Sequence, residues 1–238
     1  MKRLPQDPDE GDVVNRQFLL GRYHAHPARR GTRPRRFDVY YAPLHGFQDQ
    51  AKVVLIGVTP GIQQMLVAFR EARRLLHQGA AAPGIYHLIR RRMAFAGQTR
   101  VNLIRLLEAV QLPQMLGLSG AGELFGRASS LLHSTSALRY PVLVNGANYT
   151  GHNPPIRRLP SEIRSYLPML SDQLNGLPDA LVVPLGPAVE EALRLIDFNE
   201  RRVLTGFPHP SGANRGRHAT FVRQRAPELR RVLGAASL

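Results

Sequence analysis

The order of apolar and polar residues predicts an α/β fold, a three-layer α/β/α sandwich around a short, mostly parallel sheet. Val53–Gly57 (VVLIG) is a continuous apolar run, three of its residues β-branched, that stops at a glycine. It is too short for a helix and suits a strand buried on both faces. Residues 138–144 and 180–185 read as two more such runs. Segments with apolar residues at helical spacing lie between the runs, and strands alternating with helices build parallel sheets.

Taken in order, residues 1–36 read as a flexible basic arm ahead of a single domain over 37–238. The first twelve residues are polar and proline-rich without periodicity. Residues 29–36 (RRGTRPRR) are either a solvated loop or an arm that touches phosphate. Residues 37–43 alternate loosely as a first strand, and 53–57 follow. Residues 62–78 predict a helix, with Ile62, Met65, Leu66, Phe69, Ala72, Leu75 and Leu76 near a 3.6-residue period. Residues 79–84 break it, 85–93 resume a helix carrying Arg90, Arg91 and Arg92, and 101–110 form a short amphipathic helix. Residues 112–125 fit no period. The run 138–144 ends at Asn145-Gly146, and 151–160 (GHNPPIRRLP) form a rigid basic loop. A helix over 161–174, the strand 180–185, a helix over 188–196, a last strand over 202–207 and a basic helix near 219–233 complete the chain.

The 238 residues carry 32 Lys plus Arg against 17 Asp plus Glu, a net charge of +15. Lysine occurs only at Lys2 and Lys52. Arginine grips phosphate bidentately, so this excess points to nucleic acid. A GC-rich genome also enriches arginine, but it does not create net charge. Cysteine is absent, which removes disulfides, thiolate nucleophiles, cysteine-ligated zinc and iron–sulfur clusters. No cofactor and no metal is expected. With no apolar run of membrane-spanning length, the expected setting is cytoplasmic, with DNA and no membrane as partner and a monomeric state.

Three strand ends carry unusual residues: Thr59-Pro60-Gly61, Asn145-Gly146 and His209-Pro210-Ser211-Gly212. A parallel sheet gathers its carboxyl ends on one side, so the three are expected to line one pocket. Together with two further segments they resemble, in order, the motifs of the uracil-DNA glycosylase superfamily over roughly residues 37–235. Gly57-Val58-Thr59-Pro60-Gly61 resembles its water-activating loop. Ala94-Phe95-Ala96-Gly97 is similar to the segment whose Phe stacks on the flipped base. Residues 142–145 with Asn153-Pro154-Pro155 resemble the strand ending in a base-reading Asn. Residues 182–188 (VVPLGPA) are similar to a buried strand and its turn, and His209-Pro210-Ser211 to the second catalytic motif.

The resemblance implies a monofunctional DNA glycosylase that flips a base and hydrolyses its N-glycosidic bond. His209 would donate to the base oxygen where charge collects, Asn145 would read the base edge, and Thr59 would stand in the water-activating position. Phe95 would stack on the base, with Gly57, Pro60 and Gly61 shaping the floor. Ser211 and nearby backbone amides would hold a flanking phosphate. Residues 212–217 would lie where the family inserts a loop into the duplex, with Asn214 and Arg215 as its wedge, and Arg157, Arg158 and Arg217 would bind DNA.

Two departures refine this. Family members place Asp or Asn before the proline, or Glu two residues before it, where this chain has Thr59 and Val58. The segment between Gly61 and Phe95 is longer than the family normally uses and holds Arg70, Arg73, Arg74 and Arg90 to Arg92. It is either a solvated decoration or a reshaping of the pocket for a base larger than uracil. The expected substrate is therefore a modified base, such as a hydroxymethylated or glucosylated cytosine of phage DNA, in anti-phage defence. The alternatives are uracil excision in repair, a non-catalytic arginine-rich binder on the same fold, and a nucleotide- or sugar-processing enzyme.

Overall fold

The computed structural model describes residues 18–25, 34–44, 46–199 and 202–235. It is an α/β protein with two sheets. One is parallel, with strands β3 (Val53–Gly57), β4 (Leu132–Ser136) and β7 (Leu181–Pro184) in the order β4-β3-β7. The other is antiparallel, with β1 (Leu19–Ala25), β2 (Arg35–Tyr40), β5 (Val142–Val144) and β6 (Ala147–Asn148) in the order β1-β2-β5-β6. The main helices are α1 (Ile62–His77), α2 (Ala82–Met93), α3 (Gln98–Ala109), α4 (Pro168–Asn175), α5 (Pro187–Leu193) and α6 (Ala226–Ala235).

Strand β3 is central because every one of its residues is buried. Val54 and Ile56 face one apolar core, with Val142, Ile163 and Val189, while Val53 and Leu55 face another, with Leu103, Leu106 and Phe207. That two-sided burial is what the unbroken apolar run predicted. Helix α1 presents Met65, Leu66, Phe69, Ala72 and Leu75 inward, and Phe69 meets Phe18 at a ring-centroid distance of 4.5 Å.

The single mostly parallel sheet expected from sequence is corrected here: the parallel sheet has three strands, and the antiparallel one four. Residues 138–144 do not form a parallel strand. Only Val142–Val144 is a strand, pairing antiparallel with β2 and β6. The neighbour of β3 is instead β4, with Gly57 opposite Ser136 and Val54 opposite His133. The expected last strand contributes one parallel bridge, Val203 to Val182. The helix expected over 161–174 is two pieces, Ser161–Arg164 and α4, with Pro168 opening the second.

Leu19–Ala25, assigned from sequence to the N-terminal arm, is a strand paired with β2. Asp38, 2% exposed, lies on β2 between Arg22 and Arg36, whose Nε atoms reach its two oxygens at 2.5 and 2.9 Å. Arg36 thus neutralises a buried carboxylate. Of the basic segment read as a solvated loop or a phosphate-contacting arm, Arg35 and Arg36 are instead in β2, and residues 29–33 lie outside the described residues.

Candidate active site

A cavity of about 1120 Å³ opens at the carboxyl ends of β3, β4 and β7, slightly above the usual ~300–1000 Å³ of small-molecule sites. Three loops meet there, and each is held by identifiable bonds.

The first loop runs from Gly57 to Gly61 into α1. Gly61 is the N-cap, and its N–H donates to Gln64 Oε1 at 3.0 Å, while the Ile62 N–H donates to Asn148 Oδ1 at 2.9 Å. Two N–H groups at the helix start, which lack helical partners, are thereby satisfied by side chains. Thr59 Oγ1 donates to the Tyr140 carbonyl at 2.8 Å and accepts the Val142 N–H at 3.1 Å. Its proton is committed to joining this loop to β5, so the water-positioning donor expected of Thr59 is not available to the cavity.

The second loop carries Phe95. Arg100 closes the end of α2, with Nε and Nη2 donating to the Ala94 carbonyl at 2.9 and 2.7 Å. Phe95 follows at φ 51°, a conformation bulky residues rarely adopt and one that clusters at functional sites. Its ring edge lies 3.5 Å from where a Cβ on Gly57 would stand. The ring thus lies over the end of the central strand, at a distance where a Cβ on residue 57 would be in ordinary contact with it.

The third loop holds His209. Asn102 on α3, buried, donates from Nδ2 to the Pro210 carbonyl at 2.9 Å, and His218 Nε2 bonds the His209 carbonyl at 2.9 Å. His209 Nδ1 accepts the Ser211 N–H at 3.2 Å. That contact makes Nδ1 the unprotonated nitrogen and places the proton of the neutral ring on Nε2. Nε2 has no partner among the described residues, and no fully buried polar side-chain atom among them lacks one. Nε2 therefore reaches the open space that His209 lines. Burial, then the nearby His152 and His218, hold the imidazole below its ordinary pKa, so near neutrality it is an uncharged donor.

Gly57, Thr59, Pro60, Gly61, Phe95, His209, Ser211, Asn214 and Arg217 all line the cavity. Asn145, the expected base reader, does not. It sits exposed at φ 52° in the turn between β5 and β6, exchanging hydrogen bonds with Arg36 through its N–H (2.8 Å) and Oδ1 (2.9 Å). The hairpin then returns, and Asn148 comes to the cavity beside Gly61. Its Oδ1 is used on α1, which leaves the Nδ2 donors for a ligand. Arg157 pairs with Glu191 at 2.6 Å outside the cavity, and Arg158 is exposed nearby. Arg215 opens the short helix Arg215–Thr220; its side chain lies outside the described part of the structure.

Beside β4 lies a polar group that sequence did not single out. His133 is fully buried. Its Nδ1 faces Arg90 Nη1 at 2.8 Å and its Nε2 faces Gln173 Oε1 at 2.8 Å, which also accepts from Thr135 Oγ1 at 2.9 Å. Burial and the Arg90 cation push the His133 pKa down to about 3. An unfolded chain binds that proton at about 6.5, so below pH 6.5 the unfolded state holds more protons and stability falls as pH falls toward 3. The expected loss from His133 is roughly 2 kcal/mol at pH 5; His209 adds to it with the same sign. Urea midpoints at pH 7 and pH 5 check this, and His133→Gln should flatten the difference.

Among the described residues, no group of three or more His, Asp or Glu is placed to hold a metal, and no helix is long and apolar enough to cross a membrane.

Over 206 residues the chain is 34% identical to the uncharacterized protein YoxB of Bacillus subtilis (strain 168), covering 84% of this chain and 80% of that protein. The chain belongs to the YoxB family. No family model matches it, and no solved structure does. The aligned share of both proteins is large enough to hold most of the architecture described above.

Proposed function

We propose that this member of the YoxB family is a DNA glycosylase of the uracil-DNA glycosylase type, acting on a modified base and leaving an abasic site. The observation that carries the reading is the meeting of a Nε2 proton on His209, the Phe95 ring and the Gly57-to-Gly61 loop in one cavity at strand carboxyl ends. The two-sided packing of the parallel sheet supports the three-layer form of that fold. Breaking the bond between C1′ and the base nitrogen sends its electron pair to the base. A water oxygen bonds C1′ and loses a proton. His209 Nε2–H would donate to the base oxygen where charge gathers, and Asn148 Nδ2 would read a second acceptor. Phe95 offers a stacking face worth about 1–3 kcal/mol. Among the described residues Glu190 is the only carboxylate lining the cavity, its Oε1 accepting the Gly206 N–H at 2.7 Å. It or bulk solvent takes the water's proton. Arg217, Ser211 and Asn214 at this cavity, with the +15 charge, would hold the flanking backbone.

The test is abasic-site formation on duplexes containing uracil, hydroxymethylcytosine or glucosylated hydroxymethylcytosine. Cleavage after alkali at a modified base is expected, with uracil slower. No product on any of these or on a wider modified-base panel would sink the catalytic reading. One observation favours a second: Thr59 is used up structurally, as a non-catalytic binder would tolerate. Salt-sensitive duplex binding without product would select it.

A further inference from the structure

Arg90 is the most buried arginine among the described residues, 7% exposed, and it lines the cavity. Its Nη1 donates to the Gly46 carbonyl and to His133 Nδ1. Both partners are neutral. Among the described residues no carboxylate lies within ion-pair distance; Glu71 serves Arg74 and Arg92 instead. Nε and Nη2 make no hydrogen bond to a described residue, and since no fully buried polar side-chain atom among the described residues goes unpartnered, both reach the cavity's open space. A buried cation without a counter-charge is costly, and burial already pushes this guanidinium down to about 10. Arg139 lines the same cavity. Among the described residues, none that lines the cavity beside Arg90 is negative.

We propose that the Arg90 side of the cavity is a subsite for an anionic group, a carboxylate or phosphate, that the ligand carries in. The planar fork suits either group bidentately. Arg90 lies in the last turn of α2 and Phe95 two residues past its end, with non-helical backbone between them. The anion belongs several bonds from a ring stacked on Phe95, on an arm of the base or as the nucleotide's own phosphate. This specificity rests on reading the cavity as a base pocket; the segment between Gly61 and Phe95, which supplies Arg90, then selects the base.

Calorimetry on the full chain tests it with uracil, 5-(2-carboxyethyl)uracil and uridine 5′-monophosphate. At least one anionic compound should bind tenfold or more tighter than uracil, and Arg90→Met should erase that gain while leaving uracil affinity unchanged. Which compound gains tells an arm of the base from a nucleotide phosphate. If that variant does not fold, Arg90→Lys should cut the gain several-fold by losing the fork. Equal affinity of all three compounds for wild type, or an undiminished gain in the folded variant, overturns the proposal. Absence of abasic sites would remove the proposed reaction and leave this binding result standing, because no part of it needs turnover.

Discussion

His209→Ala should lower base excision about 100- to 1000-fold, the usual cost of removing one donor aimed at developing negative charge, while duplex affinity changes little. The geometry separates the two effects. The only cavity-facing polar atom lost is Nε2, and Nδ1 is spent within its own loop on the Ser211 N–H. The loop keeps its other anchor, because Asn102 holds the Pro210 carbonyl rather than the ring. The phosphate-facing candidates Ser211, Asn214 and Arg217 remain. Single-turnover cleavage and fluorescence anisotropy on the same duplex distinguish the outcomes. Wild-type cleavage by the variant would take His209 out of its proposed role. A parallel collapse of binding would show that the ring props the loop instead.

What could be foreseen in the chain followed how directly each residue reports its surroundings. Val53–Gly57 was legible because a strand covered on both faces has no polar position to confuse the pattern. Helix α1 was legible because one face packs and the other does not. Strand β4 (LHSTS) was not. It is an outer strand whose polar residues meet Arg90 and Gln173, so its environment is a hydrogen-bond network and leaves little apolar signature. Missing β4 promoted residues 138–144 to its place. That in turn put Asn145 at a parallel strand's end, when it belongs to the turn of an antiparallel hairpin. The hairpin itself delivers Asn148 to Gly61 three residues later. Proximity of the two asparagines was visible in sequence, but the direction of the chain between them was not. Asn102 and Arg100 escaped notice for a similar reason: each acts on backbone carbonyls of another segment, which no local spacing reveals.

Gly151→Ala should destabilise the protein by about 2–5 kcal/mol, a large effect for adding one methyl group. Two costs combine. Gly151 sits at φ +85°, where an L side chain costs about 1–2 kcal/mol. The new Cβ would also stand 2.5 Å from Ala188 Cβ and 3.2 Å from Val58 Cγ1, and overpacking a dense core costs about 1–3 kcal/mol. Neither neighbour can swing away. Ala188 lies in the first turn of α5, and Val58 is the buried residue between Gly57 and Thr59. Gly146 provides the control, with the same φ of +85° and nothing within 4 Å of where its methyl group would stand. Gly146→Ala should therefore lose only the backbone share. Urea unfolding of both variants checks the difference. Equal losses would mean that the Gly151 contact relaxes and that strain alone sets the cost. The expected inequality would show that the loop after β6, the start of α5 and the first cavity loop are packed without slack. Activity should then respond to the same change. A shift at Gly151 would press on Val58, which lines the cavity next to Gly57.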